Sequence, residues 1–148
     1  MPSVWDSIER TKLVERALTL TAATPAQWGR FDATRMLSHV NDGIRMALGD
    51  LAVARRPGPL RLPPLKQLII WVLPFPKGAP TAPELLARGS TAEFQAELSA
   101  FRTLVSSLEA RQSQPTWPEH PAFGTMSRDA WGHLIHKHVD HHFKQFGV

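Results

Sequence analysis

Trp131-Gly-His-Leu-Ile-His-Lys-His-Val-Asp-His-His-Phe-Lys-Gln-Phe146 carries five of the chain's seven histidines. Trp131, Leu134 or Ile135, His138, His142 and Phe146 recur at the helical period, which predicts an amphipathic helix capped by Ser127. Four residues turn an α-helix by about 400° and advance it by about 6 Å, so His138 and His142 leave one face, one turn apart. Two imidazoles at that spacing can grip one metal ion. Their face is also the apolar one, where ring nitrogens need partners because unpaired buried polar groups are costly. A metal would supply them. The competing account is a dense set of helix-surface histidines in which such a pair arises by chance.

Outward from this segment, three more long helices are expected. One runs from about Val4 to Leu20, with Leu13, Ala17 and Leu18 widening its apolar face. Thr24-Pro25-Ala26-Gln27 matches a capping box with proline at the first helical position, predicting a short turn that ends near Gly29. The second long helix reads from Asp32, its cap, to Leu48, with Gly49 as the stop. Its stripe includes Met36, Leu37, Val40 and Ile44. His39 lies at the stripe's edge, and Gly43 one turn on leaves open space beside a histidine or serves a tight helix contact. Residues 56–83 hold eight of the thirteen prolines and one short helix candidate, Leu65 to Leu73. A second capping box, Ser90-Thr91-Ala92-Glu93, opens the third long helix, which continues through Phe94, Leu98, Phe101 and Leu108 toward Gln112. Strand-like alternation and internal repeats are absent. The fold class is all-α, with a crossover connection that suits a four-helix bundle.

At 148 residues, 43% hydrophobic and 20% charged, the chain fits a single domain, 1–148, able to bury a sizeable core. It has no cysteine, which excludes disulfides, thiolate zinc sites and a cysteine nucleophile. The N-terminal segment carries charge early and does not read as a signal peptide, so a cytoplasmic location is expected. The longest apolar run, Leu68 to Leu73, is far short of a membrane span, and no membrane partner is expected. The formal charge is +4, but the basic residues are scattered and Arg55-Arg56 is the one adjacent pair. Nucleic acid is therefore not expected as a partner.

Two histidines hold a divalent ion poorly, and catalytic zinc usually takes three protein ligands plus an open position. His39 is the best third candidate, as the histidine on a core-facing helix outside the C-terminal region. His120, His133 and His136 are expected to face solvent. His141 reads as a neighbouring group or alternative ligand. Asp42 and Gln145 are further candidates, Gln145 either orienting a ligand or pairing with backbone. Asp140 should point away from the ligand face. Trp71, Phe75 and Lys77 in the proline-rich stretch are placed to roof the site, and Trp71 and Phe75 also read as core.

A histidine within Met36-Leu-Ser-His-Val40, joined to His138-Val-Asp-His-His142-Phe-Lys-Gln145, resembles the DinB-like (YfiT-like) superfamily of metalloenzymes. Pro76-Lys-Gly-Ala-Pro-Thr-Ala-Pro-Glu84, His120-Pro-Ala-Phe-Gly124 and the ending His-His-Phe-Lys-Gln-Phe-Gly147 resemble an uncharacterised domain-of-unknown-function branch of it. The resemblance covers most of the chain from Trp28 onward. It implies a four-helix bundle of up-down-down-up topology, with the long connection between helices two and three. It also implies a divalent transition metal, zinc or nickel, on His39, His138 and His142, and a homodimer. Some members of that superfamily are transferases or isomerases using a low-molecular-weight thiol. The function expected on this basis is a metal-dependent enzyme of transferase or hydrolase-like activity, with a thiol-dependent S-transferase as the leading form. The alternative is a non-catalytic metal- or ligand-binding bundle serving as a dimerising scaffold.

Overall fold

The computed structural model describes residues 1–85 and 93–148. Among these, regular structure is helical, with five α-helices and no strand: α1 Ser7–Leu18, α2 Ala33–Leu48, α3 Leu65–Gln67, α4 Phe94–Arg111 and α5 Arg128–Gln145. The all-α reading holds. None of these helices is long and apolar enough to cross a membrane.

Local chemistry sets the helix ends. Asp6 Oδ1 accepts from the Ile8 amide at 2.7 Å, so α1 opens at Ser7 rather than Val4. Val4 instead donates its amide to the Gly132 carbonyl at 3.1 Å, tying the N-terminal segment to α5. Asp32 Oδ1 caps α2 through the Arg35 amide at 2.8 Å, and Gly49 ends it at φ 82°. That left-handed turn favours glycine, which has no Cβ to clash. Ser127 Oγ caps α5 through the Ala130 amide. The box at Ser90–Glu93 lies largely outside the described residues; Glu93 precedes α4 and makes no side-chain cap.

Two expected elements differ. Thr24 opens no helical turn, because its hydroxyl accepts from the Thr21 amide behind it at 2.9 Å. Gln27 is drawn toward the C-terminus, donating its amide to the Gln145 carbonyl at 2.7 Å. The segment from Leu65 does start as helix, but widens into a π-turn over Leu68–Val72. Lys137 of α5 donates to the Ile69 and Ile70 carbonyls at 2.5 and 3.1 Å, satisfying acceptors that a regular ladder would have used. Pro74 then pushes Leu73 into extended backbone, ψ 139°, and the helix stops.

The long helices share one core. Helix α2 packs most extensively on α4 and also on α5, while α1 touches both α4 and α5. Leu13 and Ala17 of α1, Met36, Leu37 and Ile44 of α2, Phe101 and Leu108 of α4, and Trp131, Val139 and Phe143 of α5 are buried. Each large apolar side chain contributes about 1.5–3 kcal/mol by leaving water. The Phe101 and Phe143 rings meet at 5.5 Å between α4 and α5.

Helix α5 is covered on more sides than its apolar stripe suggests, and this corrects the expectation for three histidines. His133 is buried; its Nδ1–H donates to the Pro2 carbonyl at 2.9 Å and its ring stacks on Trp71 at 4.9 Å. His136 is buried against α1, with Nε2 3.0 Å from Glu9 Oε2. His120 is partly buried in the loop before α5, where Nδ1 accepts from the Ala122 and Phe123 amides at 3.1 Å. Burial, with help from Arg61 and Lys66, pushes its pKa down to about 4, so the ring stays neutral and structural.

Candidate metal centre

His39 on α2 and His138 and His142 on α5 converge. Each offers a ring nitrogen, and these nitrogens all lie within 4.8 Å of one another. The ring centroids are 4.7–4.9 Å apart, each pair edge-to-face. Two nitrogens bound tetrahedrally at about 2.05 Å would sit about 3.3 Å apart, so a modest adjustment of the ring positions matches a transition ion. The arrangement is compatible with metal binding.

Hydrogen bonds around the triad fix which nitrogen faces inward. His39 Nδ1–H donates to the Leu85 carbonyl at 2.7 Å, leaving Nε2 as a lone pair directed at His138. Gln145 donates its amide N–H to the Trp28 carbonyl at 2.8 Å, so its Oε1 is free to accept from His142 Nδ1–H, also at 2.8 Å. That leaves His142 Nε2 unprotonated as well. His138 Nε2 lies 2.9 Å from His39 Nε2. Two lone pairs at that distance would repel, so either a proton or a cation must sit between them. His39 and His142, neutral and with their outer nitrogens already engaged, are in the form a zinc-like ion takes.

Electrostatics keep the rings neutral. Burial lowers the His39 pKa, against the raising effects of the Leu85 carbonyl and Asp42. His138 is held well below the ordinary value by burial first and then by His142 and His39. His142 is pushed down to about 4 by burial and by His39. At neutral pH all three present lone pairs rather than charge, the form a metal needs.

The helix geometry explains the convergence. Gly43 on α2 faces His138; a Cβ there would lie 3.1 Å from His138 Cε1 and 3.2 Å from Nδ1. The glycine therefore makes room for the imidazole. Phe31, just before α2, packs on His39 and His142 at 5.3 and 6.1 Å. Phe75 from the proline-rich stretch meets His138 and His141 edge-on at 6.4 and 6.0 Å. Lys77 Nζ stands 4.3 Å over the Trp28 ring at the rim. Trp71, by contrast, turns away to stack on His133.

Of the neighbouring groups named from sequence, Gln145 alone hydrogen-bonds one of the three imidazoles. Asp42 Oδ1 accepts from Arg45 Nη1 at 2.8 Å and reaches His39 through its charge. His141 touches Trp28, Phe75 and His142 by ring contact, and its nitrogens make no hydrogen bond among the described residues. Asp140 points away as expected, pairing with Arg16 and Lys144. The Leu85 carbonyl went unforeseen, because a backbone acceptor 46 residues away leaves no mark in side-chain spacing.

A family model described as "Protein of unknown function (DUF1569)" matches residues 9–147. The chain belongs to the DUF1569 family. The match spans both halves of the triad, so His39, His138 and His142 all fall within the family's shared region. No curated protein and no solved structure matches the chain.

Proposed function

We propose that this DUF1569 protein is a divalent-metal-dependent enzyme of DinB-like architecture, a four-helix bundle with its long connection between the second and third bundle helices. His39, His138 and His142 hold zinc or nickel. The observation that carries the reading is the convergence of three neutral imidazoles from two helices on one point, each outer nitrogen of His39 and His142 being anchored.

An ion held there would act as a Lewis acid, favouring the deprotonated form of a thiol or polarising a carbonyl at its open position. Three imidazoles add no negative charge, so the ion's double charge stays available to an anionic ligand. Gln145 and the Leu85 carbonyl hold two of the ligands in one tautomer and orientation. Phe31 and Phe75 line the triad and limit water on those sides. Among the described residues no carboxylate hydrogen-bonds any of the three rings, and the chain has no cysteine. A reaction in which the cosubstrate brings its own nucleophile suits such a site, and a low-molecular-weight thiol is that cosubstrate. The reading is a thiol-dependent S-transferase, working as a homodimer.

The test is incubation of metal-loaded protein with glutathione-class and other small thiols and electrophilic acceptors. Thioether formation that disappears in His39→Ala supports the enzyme. Metal binding without turnover for any thiol supports a non-catalytic ion-holding bundle instead.

A further inference from the structure

The stretch that roofs the triad has a second face, turned to solvent. Leu62, Leu68, Val72 and Leu73 are 64%, 41%, 69% and 43% exposed, although the chain has ample core to bury them in. Leu68 and Val72 lie four residues apart on the π-widened turn, and Leu73 follows at its end. The backbone beneath is held rigidly: Lys137 ties Ile69 and Ile70 to α5, and Trp71 stacks on His133. Exposed aliphatic groups on a fixed scaffold mark a docking face more than a packing lapse.

Charge says what kind of partner fits. Residues 51–83 contain Arg55, Arg56, Arg61, Lys66 and Lys77 and no aspartate or glutamate. The rest of the chain carries twelve basic and thirteen acidic residues, so the whole positive excess resides in this stretch. Arg61 is paired with Glu119. Arg55 and Arg56 are exposed and act on Glu119 and Glu84 through charge alone, and Lys77 stands over the Trp28 ring. None of these three is within ion-pair distance of a carboxylate among the described residues. A second copy docked through the same face would oppose two acid-free basic segments. A single-stranded nucleic acid would call for exposed aromatic rings to stack on, and Trp71 is committed to His133; a duplex would meet phosphate-binding polar groups rather than aliphatic tips. Exposed aliphatic tips and exposed basic groups carried on one acid-free stretch suit lipid tails below anionic headgroups.

We propose that the face formed by Leu62, Leu68, Val72 and Leu73, with Arg55 and Arg56 beside it in sequence, docks this protein onto an anionic lipid bilayer. Lying on a surface needs no spanning helix, so the absence of one is no obstacle. The proposal is independent of the metal.

The test sediments the full chain with vesicles of phosphatidylcholine alone or with phosphatidylglycerol, at low and high salt. Binding is expected to the phosphatidylglycerol vesicles and to weaken with salt. A basic group near such a surface contributes about fivefold in affinity, so Arg55→Glu with Arg56→Glu should weaken binding by at least about tenfold. Val72→Glu should do the same by inserting charge among the aliphatic tips. Both sets lie at exposed positions, and a thermal melt checks that each variant folds. No sedimentation with either vesicle overturns the proposal, as does binding that neither variant changes. Concentration-dependent dimerisation lost in Val72→Glu, with no vesicle binding, assigns the face to a second copy and also overturns it. RNA binding in place of vesicle binding does likewise.

Discussion

Gly43→Ala should separate the fold from the site. Glycine inside a helix costs about 0.5–1 kcal/mol relative to alanine, so the substitution favours α2 by that amount. The new methyl would stand 3.1 Å from His138 Cε1, and the ring must yield by a few tenths of an ångström. These effects oppose each other in the metal-free protein, and its unfolding free energy should change by less than about 1 kcal/mol. The metal-bound state has less room to accommodate the shift, because ligand distances are held to about 0.2 Å. Displacing one of three ligands by more than that should raise the Kd for zinc about tenfold. Urea unfolding of the metal-free protein and competition titration against a chromogenic chelator measure the two quantities separately. An unchanged Kd in a well-folded Gly43→Ala protein would refute the claim that His138 binds where it stands. A large loss of metal-free stability would refute the claim that the glycine serves the site and not helix packing.

Other perturbations follow from the hydrogen bonds. Gln145→Met keeps the volume of a side chain only 5% exposed but strands His142 Nδ1–H and the Trp28 carbonyl, so metal affinity should fall about 10- to 100-fold by the same competition titration. Lys137→Met removes two donors to the π-turn and should cost about 1–2 kcal/mol, with faster amide exchange at Leu73, whose N–H bonds Leu68. His120 adds an acid weakness: its folded pKa is about 4 against 6.5 unfolded, so its contribution is whole above about pH 6.5. As pH falls toward 4 the unfolded chain takes up the proton first, and about 2–3 kcal/mol is lost. His120→Asn keeps an acceptor for the Ala122 and Phe123 amides without titrating, and should flatten that part of a pH series of urea melts; equal slopes would contradict the assignment.

Much of this was legible in sequence because it depends on local chemistry. Asp32, Gly49 and Ser127 declare helix ends through caps that need no tertiary partner. Met36, Leu37, Val40 and Ile44 declare a buried face by period alone. His138 and His142 share a face for the same reason. His39 is different: nothing in spacing places one helix beside another, so it stood out only as the histidine on a core-facing helix outside the C-terminal region, a choice the resemblance then reinforced. Apart from the start of α1, which the Asp6 cap sets locally, the failures were non-local. His133 and His136 look solvated on a helical wheel, yet the Pro2 carbonyl, Trp71 and Glu9 arrive from distant segments to cover them. Thr24 carried a correct capping signature that was used backward, toward Thr21, once Gln27 was committed to Gln145. The π-turn at Leu68–Val72 depends on a lysine 65 residues or more further along, which no local pattern records.

The central claim is that three imidazoles from two helices share one cation, and metal stoichiometry tests it most directly. Elemental analysis after reloading with zinc or nickel and removal of excess should give about one equivalent per chain for the native sequence, and His39→Ala should lose most of it. Less than about a tenth of an equivalent in the native protein, or full retention in His39→Ala, would contradict a shared three-histidine site.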